Sequence, residues 1–383
     1  MLPHDIIAKK KGGTFMIYFD NSATTPVREE VLETFCEVTR KFIGNPNSLH
    51  QLGFNSRKLM HEATRQVADL LHVKENEIIF TSSASESNNL AIKGLLDFYP
   101  NRKKLIITTE LEHASILETL QQLSEDIDVK FVKLNENGKI DLEDLKAKLE
   151  EEPLLVSIHH VNSEIGIIQD IDTIGDLIKK YPKTFFHVDG TQSVGKIPLA
   201  LDNVDLFSFS AHKFYGLKGI ACLVKKEKVN LKPLISGGAS QTIYRAGTPS
   251  VALIASLAKA LRLILNEQAD NYQKVEVLNQ KLRDGLKDEE RIVINSSLSC
   301  SPYILNFSIL NTKPETIIHK FDQFEIYIAT KTACSSNETY SKALFALTKN
   351  KNISSSSLRI SFSSRNTIEE VLTFIKILKE EIL

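Results

Sequence analysis

The sequence predicts an α/β fold, a mainly parallel seven-stranded sheet flanked by helices, joined to a smaller α+β domain. Three observations carry that expectation. Through the first two thirds of the chain, short β-branched or apolar runs alternate with amphipathic stretches, the pattern of crossover units on a parallel sheet. From about residue 250 to 287, helical spacing takes over through LIASLAKALRLILNEQ and beyond. After it come further strand-like runs and a terminal amphipathic stretch.

The strand candidates, in order, are EIIFT (77–81), KLIITT (104–109), VKFVKL (129–134), LLVSIHH (154–160), TFFHVD (184–189), LFSFS (206–210) and IACLVKK (220–226). Helical patterns intervene, as at 56–71 and 142–151. The stretch 250–287 reads as one long helix leaving the sheet, which places the domain boundary there: a large domain at 25–255, and a small one built from 1–24 and 256–383. ILNFSI, FEIYIAT and SLRISFS are the strands expected in the small domain. Its terminal helix is expected to start where Asn366 and Glu369 have capping-box spacing. The serine run at 354–357 reads as a surface loop, and no internal repeat is present.

Composition narrows the function classes. The chain has 383 residues, 47 Lys+Arg against 48 Asp+Glu, and is 42% hydrophobic with 25% charged residues. A formal charge of −1 argues against a chain that coats nucleic acid or is steered to membranes. Without a run of 18 uncharged apolar residues no membrane span is expected. MLPHDIIAKKKGGTF lacks the apolar core of a secretory signal, so a cytoplasmic protein is expected. Cys36, Cys222, Cys300 and Cys334 show neither paired nor framework spacing, which fits a reducing compartment and argues against structural zinc.

In an open parallel sheet the carboxyl ends of the strands share one edge, where a binding crevice forms. Five consecutive strand ends carry polar chemistry: SSASESNN, ELEHAS, VNSEIG, GTQS and AHKFYG. The segment 81–91 passes from strand to helix through small hydroxyl residues, offering unpaired N–H groups to a phosphate; Ser83 and Ser85 acting as helix caps fits it equally. Neither a Walker loop nor a dinucleotide fingerprint occurs. Lys213 follows an apolar strand, where burial would free its amine for Schiff-base chemistry. Asp189 ends a strand at an enclosed position and needs a partner, which a protonated ring nitrogen would supply. His113 suits proton shuttling or stacking on a ring. Among the cysteines, Cys36 falls in an amphipathic helix and Cys222 in a strand, whereas Cys300 and Cys334 lie in polar loops where a reactive thiolate can be exposed.

YFDNSATTPV, TSSASESNNLAIKG, TTELEHAS, HVDGTQSVGK, SFSAHKFYGLKG and RAGTPSV together resemble a pyridoxal-phosphate enzyme of fold type I in the class V aminotransferase group. GNPNSLH, HVNSEIGIIQD, TACSS and LRISFSSRNT narrow the resemblance to the cysteine desulfurases. The motifs run in family order from residue 17 to the end of the chain.

The resemblance implies pyridoxal 5'-phosphate as cofactor, L-cysteine as substrate and a homodimer. It makes Lys213 the lysine that bears the cofactor, Asp189 the partner of the ring nitrogen, and Gln192 a hydrogen-bond partner of the phenolic oxygen. His113 would stack on the ring and serve acid/base steps. Ser85, Ser210 and His212 match phosphate ligands, as does Thr248, contributed from the neighbouring protomer. Arg359 matches the residue that grips the substrate carboxylate, with Asn162 beside it where Ser163 replaces the family's second Asn. Cys334 would take the sulfur as a persulfide and pass it to an acceptor, an iron–sulfur scaffold or a tRNA-thiolating enzyme. Lys331 and Thr332 replace the Gly-Ser that usually precedes the Ala-Cys pair, and Leu217 replaces a common Pro. An aminotransferase or selenocysteine lyase of the same group is the alternative enzyme, and a sulfur-relay protein that merely keeps the fold is a third reading, against which the intact Lys213, Asp189 and His113 stand.

Overall fold

The computed structural model describes residues 16–238, 240–330 and 339–383. In chain order the elements begin β1 (Ile17–Tyr18), α1 (Glu29–Lys41), α2 (Gln51–Leu70), β2 (Ile78–Thr81), α3 (Ala84–Phe98), β3 (Leu105–Thr108), α4 (Ala114–Gln122) and β4 (Asp128–Phe131). They continue with α5 (Leu142–Leu149), β5 (Leu155–His159), α6 (Ile171–Ile178), β6 (Phe185–Asp189), β7 (Leu206–Ser210), β8 (Ala221–Lys225), α7 (Val251–Asn266) and α8 (Gln268–Leu286). Last come β9 (Ile292–Ile294), β10 (Ile304–Ile309), α9 (Pro314–Asp322), β11 (Ile326–Tyr327), α10 (Lys342–Thr348), α11 (Lys351–Ser355), β12 (Ser357–Ser361) and α12 (Ile368–Ile377).

Among the described residues, all seven expected strands join one sheet of order β2-β8-β7-β6-β5-β3-β4. β8 runs antiparallel to both its neighbours; the other six point their carboxyl ends to one edge. β2, β3, β5, β7 and β8 are buried at every residue, because helices cover both faces. Alternate residues feed opposite cores: Phe80, Val156 and Phe207 pack with α1, α2 and α7, while Ile79, Leu155 and Leu206 pack with α3 and α4. A separate three-stranded antiparallel sheet, β12-β10-β9, carries its own core with α8, α9 and α12, in which Phe321 and Phe374 stack at 4.7 Å. The first described strand, β1, pairs in parallel with β11. Among the described residues no helix is long and apolar enough to cross a membrane.

Several local expectations are corrected. The helix expected to run unbroken through 250–287 is two helices parted at Glu267, whose carboxylate receives both terminal nitrogens of Arg28. That break redirects the chain from one core to the other: α7 packs as far as Ile264 against the large sheet, and α8 enters the second core at Val275. The expected capping box at Asn366 and Glu369 falls one residue later, where Thr367 Oγ1 accepts from Glu370 N at 3.2 Å. Asn366 instead accepts from Ser363 N and donates to the Tyr18 carbonyl. FEIYIAT yields only β11 and a bridge at Ala329, since its partner β1 is two residues long. The serines at 354–357 end α11 and begin β12; three of the four are buried, with Ser354 and Ser356 hydroxyls bonded back to carbonyls of their own turn. Cys300 is buried, and burial pushes its thiol up, so exposure does not favour it as a nucleophile.

Gly190, directly after β6, lies so close to β7 that a Cβ there would stand 2.0 Å from Phe207 Cζ. Gly190→Ala is expected to destabilise the fold by about 1–3 kcal/mol, read as a lowered urea midpoint, because a buried ring must move. In the adjacent strands His187 is wholly enclosed, its ring nitrogens bonded to the hydroxyls of Ser157 and Ser208 at 2.9 and 3.0 Å. Burial holds His187 and His160 neutral, each pushed down to about 4. Unfolded imidazoles bind protons near pH 6.5, so this stability is complete above that pH and is lost as pH falls toward 4. Denaturant titrations at pH 7 and pH 5 should differ by about 3 kcal/mol, with the lower value at pH 5.

Candidate active site

The shared carboxyl edge opens into a cavity of about 240 Å³. Ser85, His113, Asp189, Gln192 and Lys213 line it, arriving from the ends of β2, β3, β6 and β7. His212, Asn162 and Arg359 complete the wall, the last from β12 of the smaller sheet. Three expected residues lie elsewhere. Ser210 is buried at the end of β7 without reaching the cavity wall. Thr248 is exposed in a separate surface groove beside α1. Cys334 falls outside the described residues.

Asp189 sets the floor. Its Oδ2 accepts from Asn88 Nδ2 at 2.9 Å and its Oδ1 from Thr191 N at 2.9 Å. The same Asn88 nitrogen donates to Ser115 Oγ at 2.9 Å, and Ser115 Oγ lies 2.9 Å from His113 Nδ1. His113 caps α4 by accepting the Ser115 N–H at Nδ1, which leaves Nε2 as the ring nitrogen able to carry a proton. One polar chain thus links the carboxylate to the imidazole.

On the facing side Lys213 sits in a short 3₁₀ turn after β7 and donates to the carbonyls of Ser22 and Ala23 at 2.6 and 2.8 Å. Gln192 Nε2 shares the Ser22 carbonyl at 2.9 Å. The 20–25 segment is pinned here because Thr25 Oγ1 both donates to the His212 carbonyl and accepts from Tyr215 N. Burial, then the positive charge of Lys213, Lys218 and Lys196, pushes His212 down to about 4, so its ring is neutral near pH 7. Ser85 stands in the first turn of α3, whose cap is Ser83 accepting from Glu86 N at 3.1 Å. Of the two serines expected as caps, Ser83 caps the helix while Ser85 lines the cavity.

Arg359 is 1% exposed. It donates to the Ser163 carbonyl at 3.0 Å and to Asp20 Oδ1 at 2.7 Å, leaving three of its five N–H groups for a ligand. Asn162 braces the turn beside it: Oδ1 accepts from the N–H groups of Glu164 and Ile165, and Nδ2 donates to the Leu111 carbonyl. Gly166 closes that turn at φ +84°, a left-handed conformation suited to glycine.

Sequence reasoning missed Asp20, Ser22, Asn88, Ser115 and the buried Glu112–His159 pair, whose Oε1–Nδ1 distance is 2.8 Å. Asn88 was detectable as a polar residue on the Ala91, Leu95 face of a helix. Asp20 and Ser22 had no local signal, since their partners lie far along the chain.

The donor set suits a charged aromatic phosphate ester. Asn88 Oδ1, Thr191 Oγ1, Ser22 Oγ and Arg359 Nε are buried without partners around a cavity that already holds a carboxylate, an amine and a helix N-terminus.

Comparison with known proteins agrees. The class V aminotransferase family model matches residues 17–374. A NifS/IcsS protein homolog of Lactobacillus delbrueckii subsp. bulgaricus is 40% identical over 94% of this chain and 95% of its own length. The cysteine desulfurase IscS of Cronobacter sakazakii is 38% identical over 96% of this chain and 92% of its own. A solved NifS-like protein superposes with a TM-score of 0.90 at 36% identity, covering 95% of this chain and 98% of the other. On sequence, fold and cavity alike, the chain belongs to the class V aminotransferase family, among its pyridoxal-phosphate-dependent cysteine desulfurases.

Proposed function

We propose that the chain converts L-cysteine to L-alanine and retains the sulfur as a persulfide on Cys334, for delivery to an acceptor protein. The carrying observation is that both chain segments leading to Cys334 are fastened at the cavity. Ala329 pairs with Arg359 through two backbone hydrogen bonds, and Ser341 Oγ donates to Glu164 Oε2 at 2.5 Å, beside the Asn162 turn. Cys334 is five residues beyond Ala329 in the sequence, and a chain of that length spans at most about 17 Å.

Pyridoxal phosphate, when bound, supplies the sink for the electron pair left at Cα as the substrate loses its proton. Lys213 bears the cofactor and moves the Cα proton. Asp189 maintains positive charge at the ring nitrogen, its own position fixed by Asn88 and Thr191. His113 would stack on the ring and serve acid/base steps, and Gln192 would donate to the phenolic oxygen; both line the cavity. Ser85 and His212, which line the cavity, take the phosphate with the α3 N-terminus, whereas Ser210 is buried outside the wall and does not reach it. Arg359 fixes the substrate carboxylate with its remaining N–H groups, and Asn162 shapes that end of the site. The Cys334 thiolate then attacks the substrate sulfur. A sulfur–sulfur bond forms, the Cβ–sulfur bond breaks with its electrons passing to carbon, and protonation of that carbon releases alanine.

The working unit is proposed to be a homodimer in which Thr248 serves the partner's phosphate site. Its exposure, outside this protomer's cavity, supports that reading, as does the apolar surface nearby: Ile43 is 75% exposed and borders the same groove. The persulfide is proposed to pass, in the cytoplasm, to an iron–sulfur scaffold or a tRNA-thiolating enzyme. The small sheet's own apolar core, apart from those on the two faces of the large sheet, supports a division into a large cofactor-binding domain and a small one.

With cysteine and a thiol reductant, the purified protein should release alanine and sulfide in equal amounts, Cys334→Ser should release neither, and Lys213→Ala should lack the cofactor's visible absorbance. Equal sulfide from parent and Cys334→Ser would remove Cys334 from the reaction. Sedimentation equilibrium should give twice the chain mass; a monomer that retains full turnover would overturn the shared site.

A further inference from the structure

Lys196, in the turn after β6, is 7% exposed, and among the described residues no carboxylate accompanies it. Its Nζ donates to Gln192 Oε1 at 2.7 Å and lies 6.0 Å from the centre of the Tyr303 ring. Lys196 and Lys213 both border a narrow chamber behind the cavity, where the Tyr303 hydroxyl is buried without a partner. Burial first, then the positive charges of Lys213 and Arg359, push the Lys196 ammonium down to about 7. A methionine would fill much the same volume without the desolvation penalty of a charged group. The lysine therefore calls for a reason beyond packing.

The hydrogen-bond directions provide it. A carboxamide is nearly symmetric in shape, and its two ends differ in that one donates and the other accepts. In its charged form, which prevails below about pH 7, the Lys196 nitrogen only donates, so it admits the oxygen end of Gln192 and rejects the nitrogen end. With Oε1 drawn to Lys196, Nε2 is turned to the Ser22 carbonyl, which already receives Lys213 Nζ at 2.6 Å. One Nε2 hydrogen is spent there and the second remains, at a residue that lines the cavity.

We propose that Lys196 is a positioning residue: its ammonium dictates which end of the Gln192 amide faces the cofactor, so that an N–H and not a carbonyl meets the phenolic oxygen. The inference rests on the reading of Gln192 and Lys213 given above and adds a group behind them. An N–H donor favours the phenolate form of the ring, and Lys196, while it is charged, disfavours the protonated linkage at Lys213. Both effects lower the pH at which that linkage loses its proton. The charged or titratable groups that bear on Lys196 are Lys213, Arg359, His212 and Tyr303.

The test follows the visible absorbance of the cofactor-loaded protein against pH, without substrate. In Lys196→Met the midpoint of the absorbance change should rise by about 1 unit. In a Gln192→Ala background the same substitution should move it far less, because the amide through which Lys196 acts is gone. An unchanged midpoint in Lys196→Met at full cofactor occupancy would overturn the proposal, and so would an equal shift with and without Gln192, which would assign the effect to charge alone. Should Lys196→Met fail to fold, Lys196→Gln, which removes the charge and restores a polar end, is read in the same way. A parent protein whose absorbance does not titrate, or from which borohydride traps no adduct at Lys213, defeats the anchor assignment itself and is thereby distinguished from failure of the lysine inference.

Discussion

A carboxylate sealed at the end of β6 is the constraint around which the molecule is arranged. Asp189 has exchanged water for two N–H donors, one from a side chain on α3 and one from its own turn. Two such bonds orient a carboxylate without neutralising it. The surroundings are consequently prepared for a positive charge to arrive, and Lys213 approaches from the opposite wall with its amine on carbonyl oxygens. An aromatic cation with an aldehyde at one end and a phosphate at the other satisfies the floor, the far wall and the α3 N-terminus at once.

The sheet makes this possible by geometry. Six strands deliver their last residues to one edge, while β8 runs the other way between β2 and β7. The antiparallel insertion keeps β2, and therefore α3, beside the Lys213 turn, so the anion-binding helix end and the amine come from strands on either side of β8. Gly190 lets the Asp189 turn press onto Phe207 in the neighbouring strand, and that contact fixes where the carboxylate stands.

Much of this was legible in the chain. The seven runs of the large sheet are apolar because both faces are covered, and short apolar runs between amphipathic stretches announce that arrangement directly. Asp189, His113 and Lys213 follow strands, so the sheet's directionality alone brings them together. What could not be read was anything settled by distant pairing. The helix ends at Glu267, whose carboxylate pairs with Arg28, 239 residues away, and no window around residue 267 contains that contact. Ser354 and Ser356 look like loop residues until their hydroxyls are seen returning to their own helical turn. Asp20 and Ser22 acquire meaning only from Arg359 and Lys213, and Cys300 is buried by contacts that its polar neighbours in sequence do not foretell.

The bond between Asp20 and Arg359 spans 339 residues, and β1 completes its ladder only with β11. A ribosome emitting this polypeptide from its amino end would extrude the whole large sheet while the wall that carries Arg359 is still untranslated. The two halves of the site are thereby separated in time: the strands that deliver Asp189 and Lys213 leave the ribosome well ahead of β12 and its Arg359.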